Sequence, residues 1–176
     1  MMVPVLIWLV DAGSQQAFAW LLLAAGVSDV VDGWLARTFG WTSAVGALLD
    51  SIADVLVVLV VLYGIWQLKL EVLTTNWPVF GAVAAIWAMV HAAALFRYRR
   101  LASFHTHLTR VGLMLFGAFV LVLFFAEFQP WLFYLSGAIG FLGGVESLVM
   151  VILTPTWAPD LRGGLVEVIR RRRASG

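Results

Sequence analysis

The amino-acid sequence predicts an all-α polytopic membrane helical bundle, and three observations carry that expectation. Hydrophobic residues make up 62% of the 176 and charged ones only 12%, against roughly 45–50% and about 25% in soluble domains. Mean hydropathy is +0.98. Five apolar stretches reach the ~20 residues that a spanning helix needs. None shows the clean period of a helix with one wet face. Together these exclude a water-soluble domain, a disordered chain and a fibrous repeat. A net charge of +1 argues against nucleic acid as a partner, and the lack of cysteine removes disulfides and thiolate metal sites. One membrane domain over residues 1–176 is expected.

The elements follow in order. Met1 to Val10 are apolar but too short to cross a bilayer, and they lack the basic n-region of a signal peptide. They read as the outer half of a span (a partial first helix) that rises to the turn Asp11-Ala12-Gly13-Ser14. That places Met1 in mid-membrane, so the natural chain is expected to begin upstream with an apolar, basic-flanked extension, or this copy to be a truncated gene model. Full spans are expected from Ala17 to Arg37 and from Ser43 to Gln67, joined by a short loop from Thr38 to Thr42. The third runs from Trp77 to Arg97, after the breakers Thr74-Thr75-Asn76-Trp77-Pro78. The fourth covers Leu108 to Phe128 and the fifth Trp131 to Leu153, with Gln129-Pro130 between them. Residues 160–176 form a basic tail.

Lysine and arginine placement sets the orientation. Alternating spans put Arg37, Arg97, Arg99, Arg100, Arg110, Arg162 and Arg170 to Arg173 on one side, ten of the eleven basic residues. Only Lys69 falls opposite. The arginine side is therefore expected to be cytoplasmic, and Trp20, Trp66, Trp77 and Trp131 mark the outer belt while Trp34, Trp41 and Trp157 mark the inner one.

The chemistry concentrates in Ser28 to Asp54. This window holds Asp29, Asp32, Asp50 and Asp54, four of the ten acidic residues, all inside expected spans. A carboxylate at mid-bilayer costs about 2.5–3.5 kcal/mol even on the lenient insertion scale, so four of them need compensation. Asp29 and Asp32 are three apart and Asp50 and Asp54 four apart, so each pair shares a helix face. At ~1.5 Å rise per residue, Asp29 and Asp32 lie roughly 12 and 8 Å above Arg37, and Asp50 and Asp54 roughly 10 and 17 Å above Ser43. The four acids thus occupy one depth band on antiparallel neighbours. Hard oxygen ligands in that number select Mg²⁺, Mn²⁺ or Ca²⁺, and protonation is the only other relief. Gly33, Ala36 and Gly46 leave room beside the carboxylates for a bulky anionic group, and Arg37 supplies a fork that suits phosphate. Carboxylates, small residues and an arginine describe a phosphate-ester site served by divalent cations.

The run Asp29-x2-Asp32-Gly33-x2-Ala36-Arg37-x8-Gly46-x3-Asp50-x3-Asp54 resembles the complete signature of the CDP-alcohol phosphatidyltransferases. The resemblance implies a six-helix, usually dimeric membrane enzyme of phospholipid biosynthesis. Such an enzyme uses an acceptor hydroxyl to displace CMP from a CDP-linked donor, here CDP-diacylglycerol by expectation. It implies that Asp29, Asp32 and Asp50 hold one or two Mg²⁺ or Mn²⁺ ions, and that Asp54 completes the cluster and acts as general base. It also implies that Gly33, Ala36 and Gly46 line the CDP pocket while Arg37 contacts phosphate. The shortened first helix departs from the family pattern, in which that region helps to bind phosphate. A bacterial inner membrane, a homodimer and a small alcohol acceptor complete what the resemblance implies, with no nucleic-acid partner.

Competing readings stand beside these. The aspartates also suit a small transporter or channel that binds ions or protons. Arg97-Tyr98-Arg99-Arg100 is a topology signal and headgroup anchor, or, with Arg110, a pocket for a phosphorylated acceptor or the donor phosphate. His105 and His107 form a weak metal pattern, with no carboxylate nearby, and interfacial hydrogen bonding is the simpler reading. Glu146 is an intramembrane acid that serves either function or a pairing with His91 or a loop arginine. Arg170 to Arg173 suit an anionic lipid surface.

Overall fold

A computed structural model describes residues 2–39, 44–99 and 106–154, apart from the side chains at 34, 36, 37, 44–52 and 54. Every regular element among the described residues is helical: α1 (Val3–Asp11), α2 (Gln15–Phe39), α3 (Ala44–Leu68), α4 (Leu70–Thr75), α5 (Trp77–Tyr98), α6 (His107–Phe125) and α7 (Pro130–Leu153). The all-α expectation holds. Among the described residues, α5, α6 and α7 are each long and apolar enough to cross a membrane. They expose what water would not tolerate, with Phe96 at 88% and Met114 at 74%. This is a multi-pass membrane protein.

The chain divides into two compact units, one of α1 to α4 with the last turns of α6, the other of α5, the rest of α6 and α7.

In the first unit, α1 starts with Pro4 in its opening turn, where the missing N–H costs nothing. It ends at Gly13, whose φ of 68° lets Gly13 N–H reach Val10 O and Ser14 N–H reach Leu9 O, both at 3.0 Å. The chain then enters α2. Helix α1 packs on α2 and on α3. The core of this unit is Leu6, Val10, Phe18, Ile65, Leu123 and Phe124, all nearly or fully buried. Phe18 meets Phe124 edge-on at 4.9 Å, and its ring fills the space beside Gly64, where a Cβ would come within 3.1 Å of it. Helix α4 stands where only a connector was expected.

In the second unit, bulk on α5 meets small residues on α7. A Cβ on Gly137 would meet Val79 at 2.7 Å and one on Gly144 would meet Ile86 at 2.8 Å. Further along, Val90 and Ala94 pack with Met150 and Val151. The matching order makes α5 and α7 parallel. Gly112 sits against the backbone of Gly140, Gly143 against Thr109, and Phe119 against Phe133. That reversed order makes α6 antiparallel to α7, as alternating spans require. Thr106 caps α6 by accepting the Thr109 N–H at 3.2 Å. The expected end of this span at Phe128 falls three residues beyond the helix. Gln129, held extended before Pro130 (φ −105°, ψ 100°), begins a new helix and cannot continue the old one.

Candidate functional site

The candidate site falls on the C-terminal half of α2 and the N-terminal half of α3. Helix α2 runs unbroken through Asp29, Asp32 and Gly33, so the two acids stand one turn apart. Both are exposed, and Ser28 Oγ donates to Asp32 Oδ2 at 3.4 Å. Gly33 is half-buried. On α3, Gly46, Asp50 and Asp54 occupy three successive turns. The side chains of Ala36, Arg37, Asp50 and Asp54, and any contact of Gly46, lie outside the described residues.

The backbone gives the heights. Phe18 on α2 touches Gly64 on α3, and α2 runs away from that contact while α3 arrives at it. By helix rise, Asp29 and Asp54 are each roughly 15–17 Å from the contact, and Asp32 and Asp50 roughly 21 Å from it. The four positions form two matched layers. Four aspartates at these backbone heights are the residue type that would suit Mg²⁺ or Mn²⁺. Among the described residues no three Asp, Glu or His side chains converge.

Helices α1 and α3 leave an apolar groove of about 340 Å³ lined by Val3, Ile7, Leu56, Leu59, Val60 and Tyr63. Its α3 residues stand on the face of that helix roughly opposite Asp54.

The remaining candidates lie in the second unit. Arg97, expected at the start of a basic loop, is in the last turn of α5 with Tyr98, and Arg99 follows as the helix cap with φ 57°. Arg97 Nε donates to Thr154 O at 3.3 Å. Tyr98 Oη, which the sequence did not single out, donates to Val151 O at 2.8 Å and Thr154 O at 2.6 Å. Nothing local marks Tyr98 or Thr154, because their meeting joins segments more than fifty residues apart. Arg110 is exposed in the first turn of α6. His107 opens the same helix, while His105 and Arg100 lie outside the described residues. His91 Nδ1 donates to Trp87 O at 2.9 Å and its ring stacks on the Trp87 indole at 4.2 Å. Glu146 is half-buried on α7.

A multi-pass helical membrane protein with four matched aspartates on consecutive helices is the class that these observations define. The chain belongs to the CDP-alcohol phosphatidyltransferase family, whose model matches residues 1–142. That match takes in the whole eight-residue signature. A cardiolipin synthase (CMP-forming) from Streptomyces coelicolor is 42% identical over 72 residues, covering 37% of this chain and 34% of that protein. The chain thus spans about a third of that relative's length. No solved structure matches the chain.

Proposed function

We propose that this protein transfers a phosphatidyl group from CDP-diacylglycerol to an acceptor alcohol, releasing CMP on the cytoplasmic side of a bacterial inner membrane. The observation that carries the reading is the pairing of Asp29 and Asp32 on α2 with Asp50 and Asp54 at matching heights on α3. The family match and the relative's CMP-forming name support it.

Asp29, Asp32, Asp50 and Asp54 would hold two Mg²⁺ or Mn²⁺ ions, which when bound offset the charge of the diphosphate and of the leaving CMP. Asp54 takes the proton from the acceptor hydroxyl. The freed oxygen bonds to the phosphorus that carries diacylglycerol, and the bond from that phosphorus to the bridging oxygen breaks, so that CMP leaves with the electron pair. Gly33, Ala36 and Gly46 make room for the cytidine diphosphate, and Arg37 binds phosphate through its fork. Arg97 and Arg110 serve an anionic group on the acceptor. The working unit is a homodimer.

The relative's name makes cardiolipin the first product to test, which sets phosphatidylglycerol as the first acceptor. The assay is release of CMP from CDP-diacylglycerol by purified protein in nanodiscs, with phosphatidylglycerol, glycerol 3-phosphate, inositol and serine compared. Release that needs Mg²⁺ or Mn²⁺ and one of these acceptors supports the reading. No release with any acceptor, alongside ion flux in sealed vesicles, overturns it in favour of a transporter.

A further inference from the structure

Arg97 is held from two sides. Its Nε donates to Thr154 O at 3.3 Å, and its guanidinium carbon lies 5.9 Å from the centre of the Tyr98 ring. Tyr98 is itself fixed, through Oη, to Val151 O at 2.8 Å and Thr154 O at 2.6 Å. Tyr98 has one proton to share between the two carbonyls, and Thr154 O also accepts from Arg97. The contact orders Arg97 as well as the helix end. It spends one of five N–H donors and fixes the plane of the rest. Among the described residues no other group takes the terminal amines, and the side chain is exposed. An arginine oriented by its Nε, with its fork open among the described residues, is prepared for an oxyanion that accepts two parallel hydrogen bonds.

We propose that Tyr98 is a positioning residue for Arg97, and that together with the C-terminal carbonyls of α7 it orients the guanidinium toward a phosphate group of the acceptor. This rests on the reading of Arg97 as an acceptor contact. The gain comes from preorganisation. A long side chain that is already ordered loses less freedom on binding than a free one. The shared chemistry is a phosphate ester, carried either by a soluble acceptor or by a lipid headgroup.

The experiment titrates glycerol 3-phosphate into the full chain in phosphatidylcholine nanodiscs by calorimetry, with glycerol as the uncharged control. A second arm repeats it in discs that contain phosphatidylglycerol. Wild type is expected to bind glycerol 3-phosphate and not glycerol. Weaker apparent binding in the second arm assigns the site to a lipid phosphate, and unchanged binding assigns it to a soluble one. Tyr98→Phe is expected to weaken binding by about three- to ten-fold, Arg97→Lys by at least as much, and Arg97→Gln to abolish it. Tyr98→His, which restores a ring N–H donor, recovers part of the loss, and it carries the comparison should Tyr98→Phe fail to fold. Thermal midpoints are read separately, since a purely structural Tyr98 lowers the midpoint and leaves phosphate affinity intact. That result, with Arg97→Gln still abolishing binding, overturns the positioning role and spares Arg97. Wild-type affinity in Arg97→Gln, or no binding by wild type, overturns both.

Discussion

Tyr63 donates a 2.6 Å hydrogen bond to Asp11 Oδ1 across 52 residues of sequence, fastening the last residue of α1 to the third helix. Gln67 Nε2 donates to the same Tyr63 hydroxyl at 3.0 Å. The pair sits at the far end of the α1–α3 contact from Asp54. It therefore fixes α1 alongside the helix that carries half of the aspartates.

Removing that hydroxyl tests the fastening. Tyr63→Phe keeps the ring that lines the apolar groove and strands the Gln67 amide without its acceptor. The bond is exposed, so the loss is expected to be modest, about 1 kcal/mol. It is read from thermal or denaturant unfolding in detergent, with an unchanged midpoint as the contrary result.

Thr154 provides the opposite sign. Among the described residues its buried Oγ1 has no hydrogen-bond partner, and the residue is only 7% exposed. An unpaired buried hydroxyl costs about 1–3 kcal/mol, while valine has nearly the same shape. Thr154→Val is expected to be neutral or stabilising by up to that ~1–3 kcal/mol. Both bonds that Thr154 accepts go to its carbonyl and survive the change. A clear drop in unfolding midpoint would count against this account.

Glycines separate by what faces them. A Cβ on Gly112 would sit 3.1 Å from the Cα and N of Gly140, backbone atoms that cannot swing aside. Gly112→Ala is expected to cost about 1–3 kcal/mol by forcing α6 from α7. Gly117, on the same helix, has nothing within 4 Å of that position among the described residues. Gly117→Ala is expected to stabilise by roughly 0.5–1 kcal/mol through helix propensity alone. Equal midpoints for the two variants would show that the close approach carries no weight.

Much of this was legible in the residues. Apart from the end of α6, the long helices fall within two residues of their expected bounds, because runs of about twenty apolar residues between Gly, Asn and Pro leave few alternatives. Two features escaped. Six residues, Leu70 to Thr75, are too few to show a helical period, and the end of α6 was obscured because Phe128 continues the apolar run while Pro130 dictates the break. In the site, the spacing of Asp29, Asp32, Asp50 and Asp54 was readable since helix period turns spacing into position. The Tyr98–Thr154 contact was not, because alternation makes α5 and α7 parallel but no local pattern shows that these two helices are neighbours.

The aspartates should separate by role when metal and turnover are measured together. In the proposed reading, chelation stops CMP release, and Mg²⁺ or Mn²⁺ restores it. Asp32→Asn removes one charge from the donor set. It should raise the metal concentration needed for half-maximal release by ten-fold or more, the scale on which charge count tunes divalent sites. Asp54→Asn removes a donor and the general base, so saturating metal should not rescue it, and its turnover should fall by about 10²–10⁴. Titrating metal against both variants at saturating CDP-diacylglycerol distinguishes them. Rescue of Asp54→Asn by metal alone would reduce Asp54 to a ligand, and an unchanged metal requirement in Asp32→Asn would remove Asp32 from the donor set.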